Sequence, residues 1–579
     1  TKSLINLYFG SLPPGPSIDR VGRIDSPLSG ETRITTYDNV QLPRLYLVWP
    51  GARMFDAQEA PLEILATMLG DGKSSRLYRS LVHNKQVARH VTVESYAQEI
   101  AGEFHIQITA NPGHSLEKIQ DALEEELAKI CKEPPSDHEI ERAQNRIKRQ
   151  HILQLESIGG FGGRADQLNY YNVMSGDPKT INSDLGRYLS VKPEDVTRAA
   201  SSTLSTSRVW MAVLPERNKS ASNNHLDRSL MPKGSTTKSF TPPVPSREQL
   251  DNGINILFVE KPNMPLVSFA LILPTGASAD DPNQPGIAHM TASILSEGTA
   301  TRSSQQISDN MEFLGAHLTN VANREYTILS TEILNTHWDS AIDIMADVIK
   351  NPAFPLHELE RLRRERLIDI RRTKDNPSSI AGQISRALVY GPDTKYGHPV
   401  IGTEESIKSL TINQLKSHFK SHYHPEGATL IVVGNVSKDV VTSKTFSCLG
   451  DWKQSTETSP DSTSSNRYVP HMKTTVFIFD KPGAPQSVIR AAHLTVPHNH
   501  PNYFPLTIAN YIFGGQPTSR LFMNLRQDKG YSYGYYSTID WLTGTSALFA
   551  GGSVETSVTK EAVVETIKEF ADIRGIFLL

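Results

Sequence analysis

The feature that most constrains this chain is an internal repeat. The segment MLGDGKSSRLYRSL at 68–81 aligns with IFGGQPTSRLFMNL at 512–525, and the two share a Gly, a Ser-Arg-Leu and a final Leu at an offset of about 444 residues. The segment LINLYFGSLPP at 4–14 also resembles TSKTFSCLGDW at 442–452, with an offset of about 440 residues. A sequence with such a period folds as copies of one unit, so this chain of 579 residues is predicted to form several domains.

Two polar segments divide the chain. Residues 217–247 are rich in Ser, Pro and Asn and lack apolar periodicity, and residues 454–467 have a similar composition, so both are predicted to be linkers. They separate a first block at 18–216, a middle block at 248–453 and a last block at 468–579. By the repeat, the first and last blocks are copies of one domain, and residues 1–17 are the tail of a domain equivalent to the middle block.

Each block alternates apolar runs with longer helical patterns. The runs RLYLVWPG at 44–51, ATLIVVGNV at 428–436 and KTTVFIF at 473–479 have the composition of strands. The stretches APLEILATMLG at 60–70 and SAIDIMADVIKN at 340–351 have the periodicity of helices. The predicted fold class is therefore α/β (α+β), with helices covering sheets in each domain.

Charge and cysteine content argue against several kinds of function. Lys and Arg total 59 against 62 Asp and Glu, which gives a formal net charge of -3. No general electrostatic attraction to nucleic acid or to an anionic membrane is therefore expected. Cys131 and Cys448 are the two cysteines, too few for a disulfide framework or a cysteine metal site. No run of about 18 apolar residues occurs, so no membrane span is predicted.

The stretch GIAHMTASILSEGT at 286–299 has the frame of a metal-binding helix. In the inverted zinc motif H-x-x-E-H, two imidazoles at i and i+4 bind zinc and the glutamate acts as general base. Here the frame retains His289 but has Ala292 in place of the base and Ser293 in place of the second ligand. Asp369 falls near a third ligand, but it lies among arginines, where a solvated helix face is the better interpretation. One imidazole does not hold catalytic zinc, so this chain is predicted to bind no metal here.

These segments together resemble the pitrilysin/insulinase family of inverzincin zinc metallopeptidases, which includes the mitochondrial processing peptidase. The family's zinc domain has a G-L-A-H-x-x-E-H-x-x-x-x-G-T pattern, an acidic helix ending near D-x-P and a Y-x-P-x-x-x-x-L-x-V-V-G segment. These patterns are matched by 286–299, which lacks the family's glutamate and second histidine, by KDNP at 374–377 and by YHPEGATLIVVGN at 423–435. The companion domain has Ser-Arg-Leu followed by L-R-x-x-x-G-x-x-Y, matched by SRLFMNLRQDKGYSYG at 519–534.

The resemblance implies tandem metalloenzyme LuxS/peptidase-like α/β domains that form two clam-shell halves. In that arrangement zinc lies in the first domain, and an arginine and a tyrosine of the fourth domain reach the substrate carbonyl. Carried over to this sequence, these catalytic residues are Arg526 and Tyr533. The first block has Val82 and Arg89 at the corresponding positions, so it lacks the pair.

The residues around this pair support the assignment. Gly530 is a C-cap signal for the helix that carries Arg526. The sequence YSYGYYSTIDW then alternates as a strand, which predicts that Tyr531, Tyr533 and Tyr535 share one face. A guanidinium and a phenol at one point can stabilise the oxyanion of peptide hydrolysis. The alternative is an arginine paired with an acid and a tyrosine that only packs.

The expected function is proteolysis. The chain is interpreted as a large part of a zinc-dependent endopeptidase that degrades or processes peptides or unfolded polypeptides in an enclosed chamber. It would supply the chamber and the Arg–Tyr pair, while zinc would belong to the full-length parent. His289, Ser293 and Asp369 are then a degenerate relic. The repeat predicts an intact motif about 150 residues upstream of Thr1 and about 80 further residues at the other end, so the chain alone is expected to be inactive.

The alternative function is a non-catalytic peptidase-like scaffold or partner subunit, which would self-associate or pair with another peptidase subunit. The retained Arg526 and Tyr533 argue against it. The sequence leaves the natural substrate open. For the compartment, the resemblance favours the bacterial periplasm, with an organelle as the alternative.

Overall fold

The structure of the protein is a computed structural model. It describes residues 2–13, 15, 22, 24, 28–38, 40, 42–215, 242–453, 473–481, 484 and 486–576. The chain divides into two compact units, of which the first comprises Thr1–Gln144 and Gln154–Pro215 and the second comprises Asn145–Leu153 and Glu216–Leu579.

Up to Pro215 the chain builds a five-stranded mixed sheet with helices packed on it. Its elements are α1 Lys2–Phe9, β1 Thr32–Asp38, β2 Arg44–Gly51, α2 Glu59–Gly70, a π-helix Tyr78–Asn84, β3 Ala88–Tyr96, β4 Gly102–Ala110, α3 Leu116–Lys132, α4 Asp137–Gln154, α5 Arg164–Met174, α6 Ile181–Leu189, α7 Pro193–Thr203 and β5 Val209–Pro215. The strand order is β1-β5-β2-β4-β3, in which β1 and β5 pair parallel and the other neighbours pair antiparallel. The first-block strand and helix predicted at 44–51 and 60–70 are β2 and α2.

The middle block builds a six-stranded sheet. Its elements are β6 Ser246–Gln249, β7 Asn255–Glu260, β8 Leu266–Leu273, α8 Ile287–Ile294, α9 Ser304–Phe313, β9 Thr319–Ala322, β10 Thr327–Leu334, α10 Trp338–Lys350, α11 Leu356–Asp375, α12 Pro377–Tyr390, α13 Glu404–Ser409, α14 Ile412–His422, β11 Thr429–Gly434 and α15 Lys438–Leu449. The order is β6-β7-β11-β8-β10-β9, with β7 and β11 parallel. Five of these strands, β7-β11-β8-β10-β9, repeat the topology of the first sheet.

The core of the middle block lies between its sheet and its helices. Alternate residues of β11, Leu430 and Val432, are fully buried, as the period of a strand requires. Ile342 and Met345 of α10 are also fully buried and belong to the same apolar cluster. The predicted strand at 428–436 and helix at 340–351 are confirmed by this packing.

The last block repeats part of the first. Its elements are β12 Gln486–Thr495, α16 Tyr503–Phe513, α17 Arg520–Phe522, a π-helix Met523–Asp528, β13 Ser532–Asp540, β14 Ser546–Glu555 and α18 Thr559–Ile576. The strand order β12-β14-β13 repeats β2-β4-β3. At the offset predicted from the sequence, β13 coincides residue for residue with β3, and the second π-helix falls on the first.

Backbone hydrogen bonds repeat between the two copies as well. The N–H of Lys85 donates to the carbonyl of Ser80, and the N–H of Lys529 donates to the carbonyl of Asn524. Both π-helices are followed by a residue in the left-handed region, which is Gln86 with φ 52° in the first block and Gly530 with φ 67° in the last. The sequence repeat therefore reflects a structural repeat.

The strand predicted at 473–479 needs correction, and the two predicted linkers lie largely outside the described residues. The run at 473–479 is not a strand in the structure. In the first block the corresponding strand, β1, pairs with β5, and no described element of the last block takes the place of β5. Strand β6 begins at Ser246, inside the predicted linker 217–247. Residues 217–241 and the predicted linker 454–467 lie outside the described residues.

Across the described parts of the chain, no helix combines the length and the apolar character needed to cross a membrane.

Candidate active site

Arg526 lies on the π-helix of the last block. The π-helix is anchored by Leu525, and the short helix α17 before it by Leu521; both side chains are fully buried. The π-helix ends just before Gly530. The positive φ of Gly530 reverses the chain into β13, as the predicted C-cap signal requires. Arg526 itself is half-buried, so its guanidinium projects from the edge of the packed helix.

Tyr533 projects outward from a β-bulge. The register of β13 against β14 shifts between Ser532 and Tyr535, and an extra residue at a bulge turns a side chain away from the regular alternation. Tyr535 is fully buried, whereas Tyr533 is 67% exposed. The prediction that Tyr531, Tyr533 and Tyr535 share one face is therefore wrong, because the bulge interrupts the two-residue period.

The structure brings Arg526 and Tyr533 together. The Cζ atom of Arg526 lies 4.9 Å from the centroid of the Tyr533 ring, a cation–π distance. Among the described residues, Arg526 has no ion pair with a carboxylate. Of the alternative interpretation, the arginine–acid pair is not found among the described residues, and the catalytic role of Arg526 and Tyr533 stays a prediction.

Ser532 stabilises the bulge that carries Tyr533. Its side chain is buried, its hydroxyl oxygen lies 2.7 Å from the carbonyl oxygen of Ser553, and it accepts a hydrogen bond of 3.1 Å from the N–H of Gly534. The hydroxyl thus satisfies backbone groups that the interrupted ladder leaves unpaired. Sequence reasoning missed this residue, because a serine inside a strand pattern carries no signal of a bulge.

The first block has the same backbone without the pair. Its β3 has a register shift between Ala88 and His90, at the position of the bulge in β13. Arg89 occupies the place of Tyr533, and Val82, which is 7% exposed, occupies the place of Arg526. A buried valine cannot donate a hydrogen bond, so this copy cannot form the arrangement of the last block.

The helix α8 carries His289 in a setting that disfavours positive charge. Its second ligand position holds Ser293, whose hydroxyl donates to the backbone carbonyl of His289 at 2.8 Å. Ala292 is fully buried and has no ionisable group. Burial, and to a smaller degree the charge of Arg366, lowers the pKa of His289 to about 4.

Asp369 does not complete a metal site with His289. It lies on α11, where its carboxylate is 3.7 Å from the guanidinium of Arg366, the same cation that acts on His289. One imidazole, a hydroxyl engaged with the backbone and a nearby guanidinium do not fit zinc, which prefers nitrogen, sulfur or carboxylate ligands in a tetrahedral site. Within the described ranges, no group of three or more His, Cys, Asp or Glu side chains is arranged to hold a metal ion.

The segment after α8 is held by a buried ionic cluster. The guanidinium of Arg361 contacts three carboxylates, those of Glu297 at 2.7 Å, Glu358 at 2.6 Å and Glu365 at 2.8 Å. The side chains of Glu297 and Glu358 are each 3% exposed. The hydroxyl of Ser304 also donates to Glu297. The glutamate of the Ser-Glu-Gly-Thr stretch therefore has a structural role.

A second buried group is a stacked histidine pair on α14. The rings of His418 and His422 lie 4.4 Å apart with an angle of 20° between their planes. Burial, together with the charge of His422, lowers the pKa of His418 to about 3. The two rings pack against each other in the middle block, and they belong to no group of three or more possible metal ligands among the described residues.

Two protein-family models match the parts of the chain that carry these features. A family model described as "Peptidase M16 inactive domain" matches residues 1–147 and 409–576, which is more than half of the chain. A model described as "Insulinase (Peptidase family M16)" matches residues 255–400, where α8 lies. The resemblance inferred from the motifs is confirmed by these matches.

Curated relatives of this chain are named as zinc proteases. An uncharacterized zinc protease, YmxG, of Bacillus subtilis is 25% identical over 291 residues, which are 50% of this chain and 69% of the relative. An uncharacterized zinc protease of Rickettsia felis is 26% identical over 308 residues, 52% of this chain and 72% of the relative.

Among solved structures, a peptidase M16 inactive domain from Pseudomonas fluorescens has a TM-score of 0.50 and 22% identity, covering 57% of this chain and 78% of that one. A protease from Helicobacter pylori has a TM-score of 0.50 and 17% identity, covering 58% of this chain and 85% of that one. Both share the mixed α/β fold. With its sheets, its π-helices and its degenerate zinc-motif frame, this chain belongs to peptidase family M16, the insulinase/pitrilysin-type peptidases.

Proposed function

We propose that this chain supplies the carbonyl-binding part of a zinc-dependent endopeptidase. Family membership supports peptide hydrolysis as the reaction. The observation that carries the proposal for this chain is the contact between the guanidinium of Arg526 and the exposed ring of Tyr533. Both are hydrogen-bond donors, and no ion pair with a described carboxylate competes for the guanidinium.

The chemistry of this pair suits a developing oxyanion. When a peptide bond is hydrolysed, the carbonyl oxygen gains negative charge in the transition state. Hydrogen bonds from the charged guanidinium of Arg526 and from the phenol of Tyr533 become stronger as that charge grows, so they lower the barrier more than they strengthen substrate binding. The bulge fixes the direction of the tyrosine, and the cation–π contact restricts the arginine.

Zinc has no place in this chain's own motif helix. The metal would be held by a second, intact motif helix of the enzyme, and when bound it would activate water for the attack. In this proposal the blocks 18–216, 248–453 and 468–579 enclose a peptide or unfolded polypeptide substrate, and His289, Ser293 and Asp369 take no part in catalysis.

The test is substitution of Arg526 in a polypeptide that contains this sequence together with an intact zinc motif. The substitution Arg526→Ala should lower kcat by about a hundred- to a thousandfold, the usual range for losing one oxyanion donor, while KM changes little. Arg89→Ala, at the equivalent bulge of the first block, is the control and should leave kcat unchanged. An unchanged kcat in Arg526→Ala would remove this residue from the mechanism.

The second candidate function is a non-catalytic scaffold or partner subunit. It is favoured by the loss of the second zinc ligand, at Ser293, and of the general base, at Ala292. Residues 1–579 alone should not hydrolyse peptides in the presence of zinc. A polypeptide that combines this sequence with an intact zinc motif should hydrolyse peptides under the enzyme proposal. If it does not, although the protein is folded and binds zinc, the scaffold is the better description.

A further inference from the structure

The π-helix that carries Arg526 is tied to α18 by the side chain of Asn524. Its amide nitrogen lies 3.0 Å from the carboxylate of Glu565 and 2.9 Å from that of Glu569, so it donates to both. The second oxygen of Glu569 accepts a hydrogen bond of 2.8 Å from the guanidinium of Arg520. Glu569 is only 7% exposed. Because a buried carboxylate needs donors around it, these contacts hold the π-helix against α18.

The main chain of Asn524 adds to this attachment. Its carbonyl accepts the N–H of Lys529 and so closes the last turn of the π-helix. Leu525, the next residue, is fully buried. Because a π-helix is a rare, short structure, its geometry relies on contacts outside it. Asn524 and Leu525 together fix the rotation of the helix, and with it the point from which the following residue, Arg526, projects.

The first block has the same helix without this attachment. At the repeat offset, Ser80 takes the place of Asn524 and Glu125 takes that of Glu569. A serine hydroxyl has a single proton and cannot donate to two carboxylates at once. The side chain of Glu125 is 54% exposed and pairs with Lys85. The block without the Arg–Tyr pair leaves this carboxylate at the surface, whereas the block with the pair buries it against the π-helix.

We infer that Asn524 is a positioning residue for Arg526, and that Glu565 and Glu569 hold it in place. This role rests on the proposed function, since Asn524 acts only through the guanidinium. Hydrogen bonds to a carboxylate are about twice as strong as those between neutral groups, so the side of the helix that carries Asn524 is held firmly on α18. The cation–π contact with Tyr533 restricts the far end of the Arg526 side chain, and Asn524 restricts its base.

The test uses a polypeptide that contains this sequence together with an intact zinc motif, with peptide hydrolysis as the assay. Asn524→Leu keeps a side chain of similar size and removes the amide. It should lower kcat about tenfold and change KM less than about twofold, because Arg526 acts on the transition state rather than on the bound substrate. In the Arg526→Ala background the same substitution should lower kcat less than about twofold, since residues that act as a unit do not give additive losses.

A second pair of substitutions exchanges donor and acceptor at the same contact. Asn524→Asp alone places a third carboxylate beside Glu565 and Glu569, and it should lower kcat at least as much as Asn524→Leu. Adding Glu569→Gln supplies an amide that can donate to the new carboxylate while its oxygen still accepts from Arg520, so part of the lost kcat should be recovered. Lys529→Ala is the matched control, because its ammonium lies 3.9 Å from Glu565 at the end of the same helix, and it should leave kcat unchanged.

Thermal unfolding of each variant shows whether the domain remains folded, and Asn524→Ser, which copies the first block, replaces Asn524→Leu if the latter does not fold. An unchanged kcat in this variant, in a protein where Arg526→Ala lowers kcat, overturns the role of Asn524 and leaves the proposed function intact. An unchanged kcat in Arg526→Ala removes the proposed function and this role with it. A loss of kcat that is equally large in the Arg526→Ala background, or that the exchanged pair does not recover, leaves Asn524 with a structural role only.

Discussion

Replacement of Arg361 by methionine tests whether the degenerate motif helix depends on the ionic cluster beside it. Burial alone would lower the pKa of the Arg361 guanidinium, but the charges of Glu297, Glu365 and Glu358 raise it above its ordinary value. Methionine keeps most of the apolar stem and removes the charge. Two carboxylates with 3% exposed side chains, those of Glu297 and Glu358, would then lose their contact with the guanidinium of Arg361.

The expected cost follows from that burial. Removing one partner of a buried ion pair costs about 3–5 kcal/mol, because it leaves an uncompensated charge in the interior. At about 1.4 kcal/mol per factor of ten, local opening of the segment should become about a hundred- to several-thousandfold more frequent. Amide exchange of a peptide covering 287–299 measures this directly, since the segment joins α8 to Glu297.

A matched substitution separates the buried partners from the exposed one. The side chain of Glu365 is 36% exposed, so Glu365→Gln should cost less than about 1 kcal/mol. Adding Glu297→Gln to Arg361→Met should recover part of the loss, because the glutamine leaves no charge behind. Exchange in Arg361→Met within about threefold of the unsubstituted rate would refute the reasoning.

Two further predictions concern stability. Burial lowers the pKa of His418 in the folded chain from 6.5 to about 3. Between these two pH values the unfolded chain binds a proton that the folded chain excludes, so stability is lost as the pH falls. The expected loss is about 1.4 kcal/mol per pH unit, and His418→Phe should flatten the pH dependence of urea unfolding by that slope; equal slopes would contradict it. Gln86 and Gly530 occupy equivalent left-handed positions, so Gln86→Gly should stabilise the first block by up to about 1 kcal/mol and Gly530→Gln should destabilise the last block by a similar amount. Thermal unfolding of both variants measures the two effects, and a common sign would rule out the conformational explanation.

Local pattern predicted much of the secondary structure. Strand β2 and helix α2 follow directly from alternation and from the helical period, and Gly530 marked the end of the helix of Arg526. The repeat predicted that β13 would match β3. These properties depend on residues close in sequence or on comparison of two segments of the same chain, so they can be read without tertiary contacts.

Other features depended on partners that sequence does not reveal. The run at 473–479 has strand composition, but a strand needs a neighbour for its backbone groups, and β1 finds that neighbour in β5. The bulge at Tyr533 lies in a sequence that alternates regularly, so the reversal of Tyr533 relative to Tyr535 could not be read. The cluster around Arg361 joins α11 to the segment after α8, and no local pattern in the sequence reveals a contact between these two segments.

The bulge on β3 and β13 has a consequence for how the two copies diverged. Both strands shift register at the same point, although one carries Arg89 there and the other carries Tyr533. The outward residue contributes little to the sheet, so after a duplication it could be exchanged while the domain continued to fold. Under the proposed function, the gain of a carbonyl-binding pair in one copy and its absence from the other would then require few substitutions, and neither copy would lose its architecture.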